Sequence, residues 1–253
     1  MNKLSSQIES HNLIKEVSDD LPPIFEKVHQ DKDYAPSEIE QYSISVFKWV
    51  MRVMGCFETL EHARVYLSNF KTIEQCSKAG IGRRDYINYH YFNYAITVVR
   101  IMDVALILAN STFRLGNPEK LCRLEYITEN SWVRSTGVDR LLKNLDAIVK
   151  PWREPRNHFV HRGEELGISG QRQDSDLLFV LGAADRLIMG GETEASALVS
   201  QAPLLCQSVV SGIFREFDQI EQPLLDATSK LLSGLLPIYR FWRKMLPRVT
   251  SPG

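Results

Sequence analysis

Two long helical stretches, the first with its apolar residues mostly three or four positions apart, constrain this chain more than any other feature. Between Ser37 and about Phe70, the residues Ile44, Phe47, Val50, Met51, Met54, Phe57, Leu60 and Leu67 recur in this way, the period of an amphipathic helix and not of a strand. Gly80 and Gly82 interrupt the pattern, and a second long helix is expected from near Arg83 to Leu115, where Gly116-Asn117-Pro118 stops it. Two helices of this length need further helices alongside them to bury their apolar stripes. The expected class is therefore all-α, an antiparallel helical bundle.

Punctuation along the rest of the chain divides it into shorter pieces. An early helix is expected to end near Leu21-Pro22-Pro23, and Pro36-Ser37-Glu38 marks a fresh start. Asn117 is expected to cap a shorter helix through Ile127, and Val138 to Val149 forms another before Pro151. A helix from about Pro155 to Glu165 follows. Gly163, Gly167, Gly170 and the polar run Gln171 to Asp176 then signal a loop. Glu192 to Ile220 and Pro223 to Leu246 read as two helices bent or broken at Pro223, and Leu177 to Leu181 is the longest strand-like stretch. The organisation predicted is one helical domain over residues 37–246, with an N-terminal helical extension at 1–36 and a tail at 247–253.

Composition narrows the class of partner. With 253 residues, 24% charged and 44% hydrophobic, the chain has the make-up of an ordinary globular protein and excludes gross disorder. Its formal net charge of -1 provides no global field for nucleic acid, so any such binding must come from a local patch. Residues 150–162 supply one, with Lys150, Arg153, Arg156 and Arg162 against the single acid Glu154. Cys56, Cys76, Cys122 and Cys206 show no paired spacing, which argues against a zinc site or a disulfide framework and for a reducing compartment. The N-terminus has no signal-like apolar core, and no uninterrupted apolar run reaches membrane-spanning length. A cytoplasmic location without membrane contact is the expectation.

The most pointed chemistry lies in Arg156-Asn157-His158-Phe159-Val160-His161. At about 100° per residue, Asn157 and His161 share a helical face and Arg156 stands at its edge. Arginine offers a permanently charged planar fork for phosphate oxygens, and histidine exchanges a proton near neutral pH. A cation beside a proton shuttle is what RNA transesterification requires. The plainer alternative is that Arg156 pairs with Glu154 and His161 packs in a helix interface.

This run resembles the arginine, polar residue, three residues, histidine signature of the HEPN superfamily, small helical bundles that are often metal-independent endoribonucleases. The resemblance implies an HEPN-like bundle with additional N- and C-terminal helices, and cleavage by 2′-hydroxyl attack in a toxin–antitoxin or antiviral defence setting. It implies Arg156 on the scissile phosphate, His161 in proton transfer and Asn157 orienting one of them, with no cofactor and no metal. Lys150, Arg153 and Arg162 would contact RNA, and His158, on another face, would be a substrate or packing contact. Family members commonly dimerise with two motifs facing each other, so a homodimer through the motif helix is expected, and an antitoxin or regulatory protein is a further expected partner. The alternative in another class is a non-catalytic module that binds RNA, a nucleotide or a protein.

Other features carry weaker signals. Asp103 lies among apolar residues of the second long helix, and burying it there would demand a partner, either Arg100 on the same helix or the motif from across the bundle. Asn110, two turns on, is expected to share its face. The cluster Tyr86, Tyr89, Tyr91, Phe92 and Tyr94 suits core and interface better than base stacking. Gly80-Ile81-Gly82-Arg83-Arg84 has the form of an anion site before a helix, although a helix stop and start explain it. Of the paired Glu-x-x-His motifs of a di-iron bundle, only Glu26-Lys27-Val28-His29 is present.

Overall fold

The computed structural model describes residues 4–69, 78–154, 156–157, 172–190 and 197–247. It is all-α, 86% helical, with no strand among the described residues. In chain order the helices are α1 (Leu4–Glu9), α2 (Asn12–Asp19), α3 (Pro22–Gln30), α4 (Glu38–Ser68), α5 (Arg83–Phe113), α6 (Leu124–Thr128), α7 (Ser131–Thr136), α8 (Val138–Val149), α9 (Arg172–Met189) and α10 (Ala197–Met245). The chain divides into two compact units, residues 1–58, 100–149 and 223–253 in the first and residues 59–99 and 150–222 in the second. The divisions fall inside α4, α5 and α10.

In the first unit the core draws on the apolar stripes of three long helices, with Val46, Val53 and Phe57 of α4, Ile101 and Leu108 of α5, and Leu231, Leu235 and Tyr239 of α10 all buried. The α4 stripe is rotated slightly from the one expected, since Val46, Trp49 and Val53 are buried while Met51 is 41% exposed. Tyr42 stacks on Tyr239 at 5.6 Å, and its hydroxyl donates to the Thr112 carbonyl. Burial pushes both tyrosine hydroxyls well above their ordinary range. Trp132 of α7 meets Phe113, Phe241 and Trp242 edge to face. Asn130 caps α7 through the backbone N–H groups of Trp132 and Val133, and Gly137, at φ 77°, ends it in the left-handed conformation.

In the second unit, Leu67 of α4, Ile87, Tyr94 and Val98 of α5, Leu181 of α9, and Cys206, Val209 and Phe217 of α10 are buried. Ionic groups are built into it as well. Arg64 reaches Asp218 at 2.5 Å and Glu221 at 2.8 Å. Asp185 receives the backbone N–H of Arg84 at 3.2 Å and the guanidinium of Arg83 at 3.1 Å. The carboxylate thus occupies the N-terminus of α5, where the helix dipole favours an anion. The helix start after Gly80 to Gly82 is thus met by one of the protein's own carboxylates. Gly82 allows this approach, because a Cβ there would lie 3.0 Å from the Asp185 carboxylate.

Several sequence expectations need correction. The single early helix is three short ones, and Pro22 opens α3 instead of closing its predecessor, since a first-turn proline loses no helical hydrogen bond. Asn117 caps nothing. The buried Asn110 side chain clasps its backbone, donating to Asn117 O at 3.0 Å and accepting from Asn117 N at 3.2 Å, and a 3-10 turn at Glu119–Leu121 precedes α6. Asp103 is exposed while its neighbours Met102 and Val104 are buried, so it neither pays a burial cost nor shares the environment of Asn110. Residues 172–176 are helical, as is the strand-like stretch Leu177 to Leu181.

Pro223 does not break the last helix, which runs unbroken from Ala197 to Met245. A proline removes one backbone hydrogen bond. The buried Leu224, Leu225 and Thr228 that follow hold the chain in helical register. Among the described residues, α5 and α10 are long and apolar enough to cross a membrane by length and composition. The apolar window of α5 is 72% buried, as in a core helix, and that of α10 is 33% buried.

Candidate active site

The turn just ahead of Arg156 is held within the second unit by aromatic packing. After α8 the chain makes a 3-10 turn over Lys150–Trp152, with Pro151 fixing φ in its middle. The indole of Trp152 leans on Tyr91 at 6.1 Å and Tyr94 at 5.5 Å. Tyr94 lies flat on Phe217, centroids 3.5 Å apart and planes 7° apart, and Tyr91 stacks on the same ring at 6.1 Å. Polar tips fix these rings from below: Tyr91 donates to Glu216 at 2.9 Å and Tyr94 to Glu221 at 3.3 Å. Burial raises the Tyr94 hydroxyl far above its usual range and also raises Glu221, although Arg64 and Tyr94 pull the carboxyl the other way. The aromatic cluster thus splits, with Tyr91, Phe92 and Tyr94 in the core and Tyr89 68% exposed.

Arg153, Glu154, Arg156 and Asn157 are helical directly after that turn. Arg156 is half-buried, and its Nη1 donates to Asn157 Oδ1 at 3.0 Å. Its Nε is buried and makes no hydrogen bond. Asn157 therefore steers the guanidinium from one side while an N–H on another edge stands unanswered, and a buried donor without a partner costs free energy until an acceptor meets it. Lys150 is exposed and Arg153 half-buried, so three cations stand within the first described turns. His158, His161 and Arg162 lie outside the described residues. Asp103 belongs to the first unit, whereas Arg156 and Asn157 belong to the second.

Trp152 is the residue that sequence reasoning missed. Its signal was present in a tryptophan between a proline and an arginine-rich helix start, where a large ring can anchor a short turn. Beside the same helices, His90 is buried under Tyr66, Tyr86 and Tyr89, with ring centroids 4.5 to 5.1 Å away, and burial lowers its basicity. Cys56, Cys122 and Cys206 are free and buried, the Cys56 thiol being pushed up to about 11 and that of Cys206 to about 12 by burial. Among the described residues, no three His, Cys, Asp or Glu side chains converge as a metal site would require. Comparison with protein families, with characterised proteins and with solved structures finds no match for this chain.

Proposed function

We propose that this chain is a metal-independent endoribonuclease of the HEPN type, in which Arg156 grips the scissile phosphate and His161 moves the proton. The observation that carries the reading is the state of Arg156, whose Nη1 is held by Asn157 while its buried Nε lacks an acceptor. A phosphate oxygen is the acceptor that a guanidinium fork fits best. In the reaction, the ribose 2′-oxygen attacks phosphorus, the bond to the 5′-oxygen breaks, and the proton lost by the first is balanced by one gained by the second. His161 serves one of these transfers. The products are a 2′,3′-cyclic phosphate and a 5′-hydroxyl.

Lys150 and Arg153 support the reading as cations ahead of the motif, and Arg162 extends the patch in sequence. The proposal includes a homodimer through the motif helix, a cytoplasmic site of action, and a toxin–antitoxin or antiviral role with an antitoxin or regulatory partner. The deciding experiment incubates end-labelled RNA with wild type and His161→Ala in excess chelator and maps the product ends. Cleavage by wild type alone, with cyclic phosphate ends and none on a substrate carrying 2′-deoxyribose at the cleaved position, supports the mechanism. Equal cleavage by His161→Ala, or cleavage only with a divalent ion, refutes it. RNA bound without cleavage would make the chain a binding module instead.

A further inference from the structure

A pocket of about 360 Å³ opens in the first unit between α3, the linker before α4, the first turns of α4 and the last turn of α10. Its wall combines the apolar side chains Pro23, Ile24 and Ile39 with four charged groups, Asp20, Lys27, Glu40 and Arg243. Counting donors and acceptors separates the groups that hold the pocket together from those still able to bind something.

Glu40 is the more heavily engaged of the two carboxylates. Its Oε1 accepts from Lys27 Nζ at 2.8 Å, and its Oε2 accepts from Tyr34 at 2.5 Å, from the Ser37 backbone N–H at 2.8 Å and from Ser37 Oγ at 2.7 Å. Three donors saturate Oε2, while Oε1, taken by Lys27, keeps one lone pair. Burial alone would raise this carboxyl, but the donors from Lys27, Tyr34 and Ser37 outweigh it and hold it at about 2. Asp20 is only half used, with one oxygen taking the Tyr239 hydroxyl at 2.6 Å and the other taking Arg243. Each oxygen keeps a second lone pair. On the cationic side, Glu40 takes one of the three ammonium hydrogens of Lys27 and the Tyr34 hydroxyl is a second partner, while Asp20 uses one of the five guanidinium hydrogens of Arg243. Both cations reach the opening, with side chains 53% and 41% exposed.

The two positive and two negative charges cancel. A ligand bearing net charge would enter the cavity uncompensated and lose its hydration, whereas a neutral zwitterion would find both unused donors and unused acceptors. The volume stands at the low end of ligand pockets, roughly 300–1,000 Å³, which suits a molecule of amino-acid size better than a nucleotide. We propose that this pocket binds a small zwitterion, an amino acid with an apolar side chain. Its carboxylate meets Lys27 and Arg243, its ammonium meets Asp20, and its hydrocarbon lies against Pro23, Ile24 and Ile39. The site lies beyond the ribonuclease reading and does not depend on it.

Calorimetry on the full chain with leucine, 4-methylpentanoate and 3-methylbutylamine tests the assignment, because the latter two each keep one head group of the first. Leucine is expected to bind saturably and each analogue at least about tenfold more weakly. Asp20→Asn should weaken leucine at least as much, and Ile39→Trp, which fills the pocket without touching its charges, should abolish binding. An analogue that binds as tightly as leucine overturns the zwitterion. The absence of saturable binding of leucine, isoleucine, methionine and phenylalanine up to about 10 mM overturns the site, with no variant needed.

Discussion

The indole of Trp152 rests 5.5 Å from the ring of Tyr94, which itself lies flat on Phe217. This contact ties the residues just before Arg156 to α5 and α10 within the second unit. Trp152→Ala should therefore reduce RNA cleavage by more than tenfold while lowering stability by about 2 kcal/mol, less than the loss from a fully buried tryptophan because the ring is only half-buried. Trp152→Phe should keep most of both. Urea melts alongside cleavage rates provide the check, and an alanine variant cleaving at the wild-type rate would separate the seat from the chemistry.

Arg156→Lys should abolish cleavage as fully as Arg156→Ala, because an ammonium has neither the planar fork nor the hydrogen bond to Asn157 that sets its direction. Asn157→Ala should retain some activity, about 10- to 100-fold below wild type, since the guanidinium survives without its guide. Single-turnover rates at saturating RNA measure both. Full activity with lysine would mean that charge alone is needed there.

Acid should act on Glu40 in a definite direction. Its folded value of about 2 lies below the ordinary carboxylate range, so its contribution to stability is complete above the unfolded pKa, roughly 4.3, and is lost as pH falls toward 2. Asp185 and Glu221 act oppositely. Burial raises both, so what they contribute is complete at low pH and is lost as pH rises through their elevated folded values. Melting temperature should fall less steeply between pH 4.5 and 2 in Glu40→Gln than in wild type. Parallel curves would show that the clamp with Lys27, Tyr34 and Ser37 is energetically idle.

Two glycines with open space around them should respond with opposite signs. Gly55 lies inside α4, and a methyl group there meets nothing within 4 Å, so Gly55→Ala should stabilise the chain by about 0.5–1 kcal/mol through helix propensity. Gly137 is equally open but sits at φ 77°, a conformation that costs an L-residue roughly 1–2 kcal/mol. Gly137→Ala should destabilise. Thermal melts of the two variants decide it, and a shared sign would contradict the backbone assignment.

The long elements were legible because their signals are local and repeated. Eight periodic apolar positions located α4, Gly82 marked the start of α5, and α8 matches the predicted Val138–Val149. Asp103 misled because its neighbours in sequence are apolar, yet at 100° per residue those neighbours face the core while it turns to solvent. Pro223 misled because its local penalty is visible in sequence and the packing of the leucines after it is not. In the site, the adjacency of Arg156 and Asn157 was readable. The seat under Trp152 was not, since it depends on Phe217, a residue far along the chain that no local pattern connects to it.

The steepness with which salt weakens RNA binding should report how many copies of the motif take part. One chain places Lys150, Arg153, Arg156 and Arg162 between residues 150 and 162. For single strands, log affinity falls by about 0.7 per neutralised phosphate for each decade of salt, so a single patch gives a slope no steeper than about -3. Two facing patches should give a steeper slope, and sedimentation should find a dimer under the same conditions. Mixing the inactive His161→Ala and Arg156→Ala chains then asks how the dimer divides the work. Partial recovery would show that one intact site forms from two damaged halves, and no recovery would show that both copies are needed. A monomer that cleaves at full rate with a slope shallower than about -3 would remove the dimer and leave the assignment of Arg156 and His161 standing.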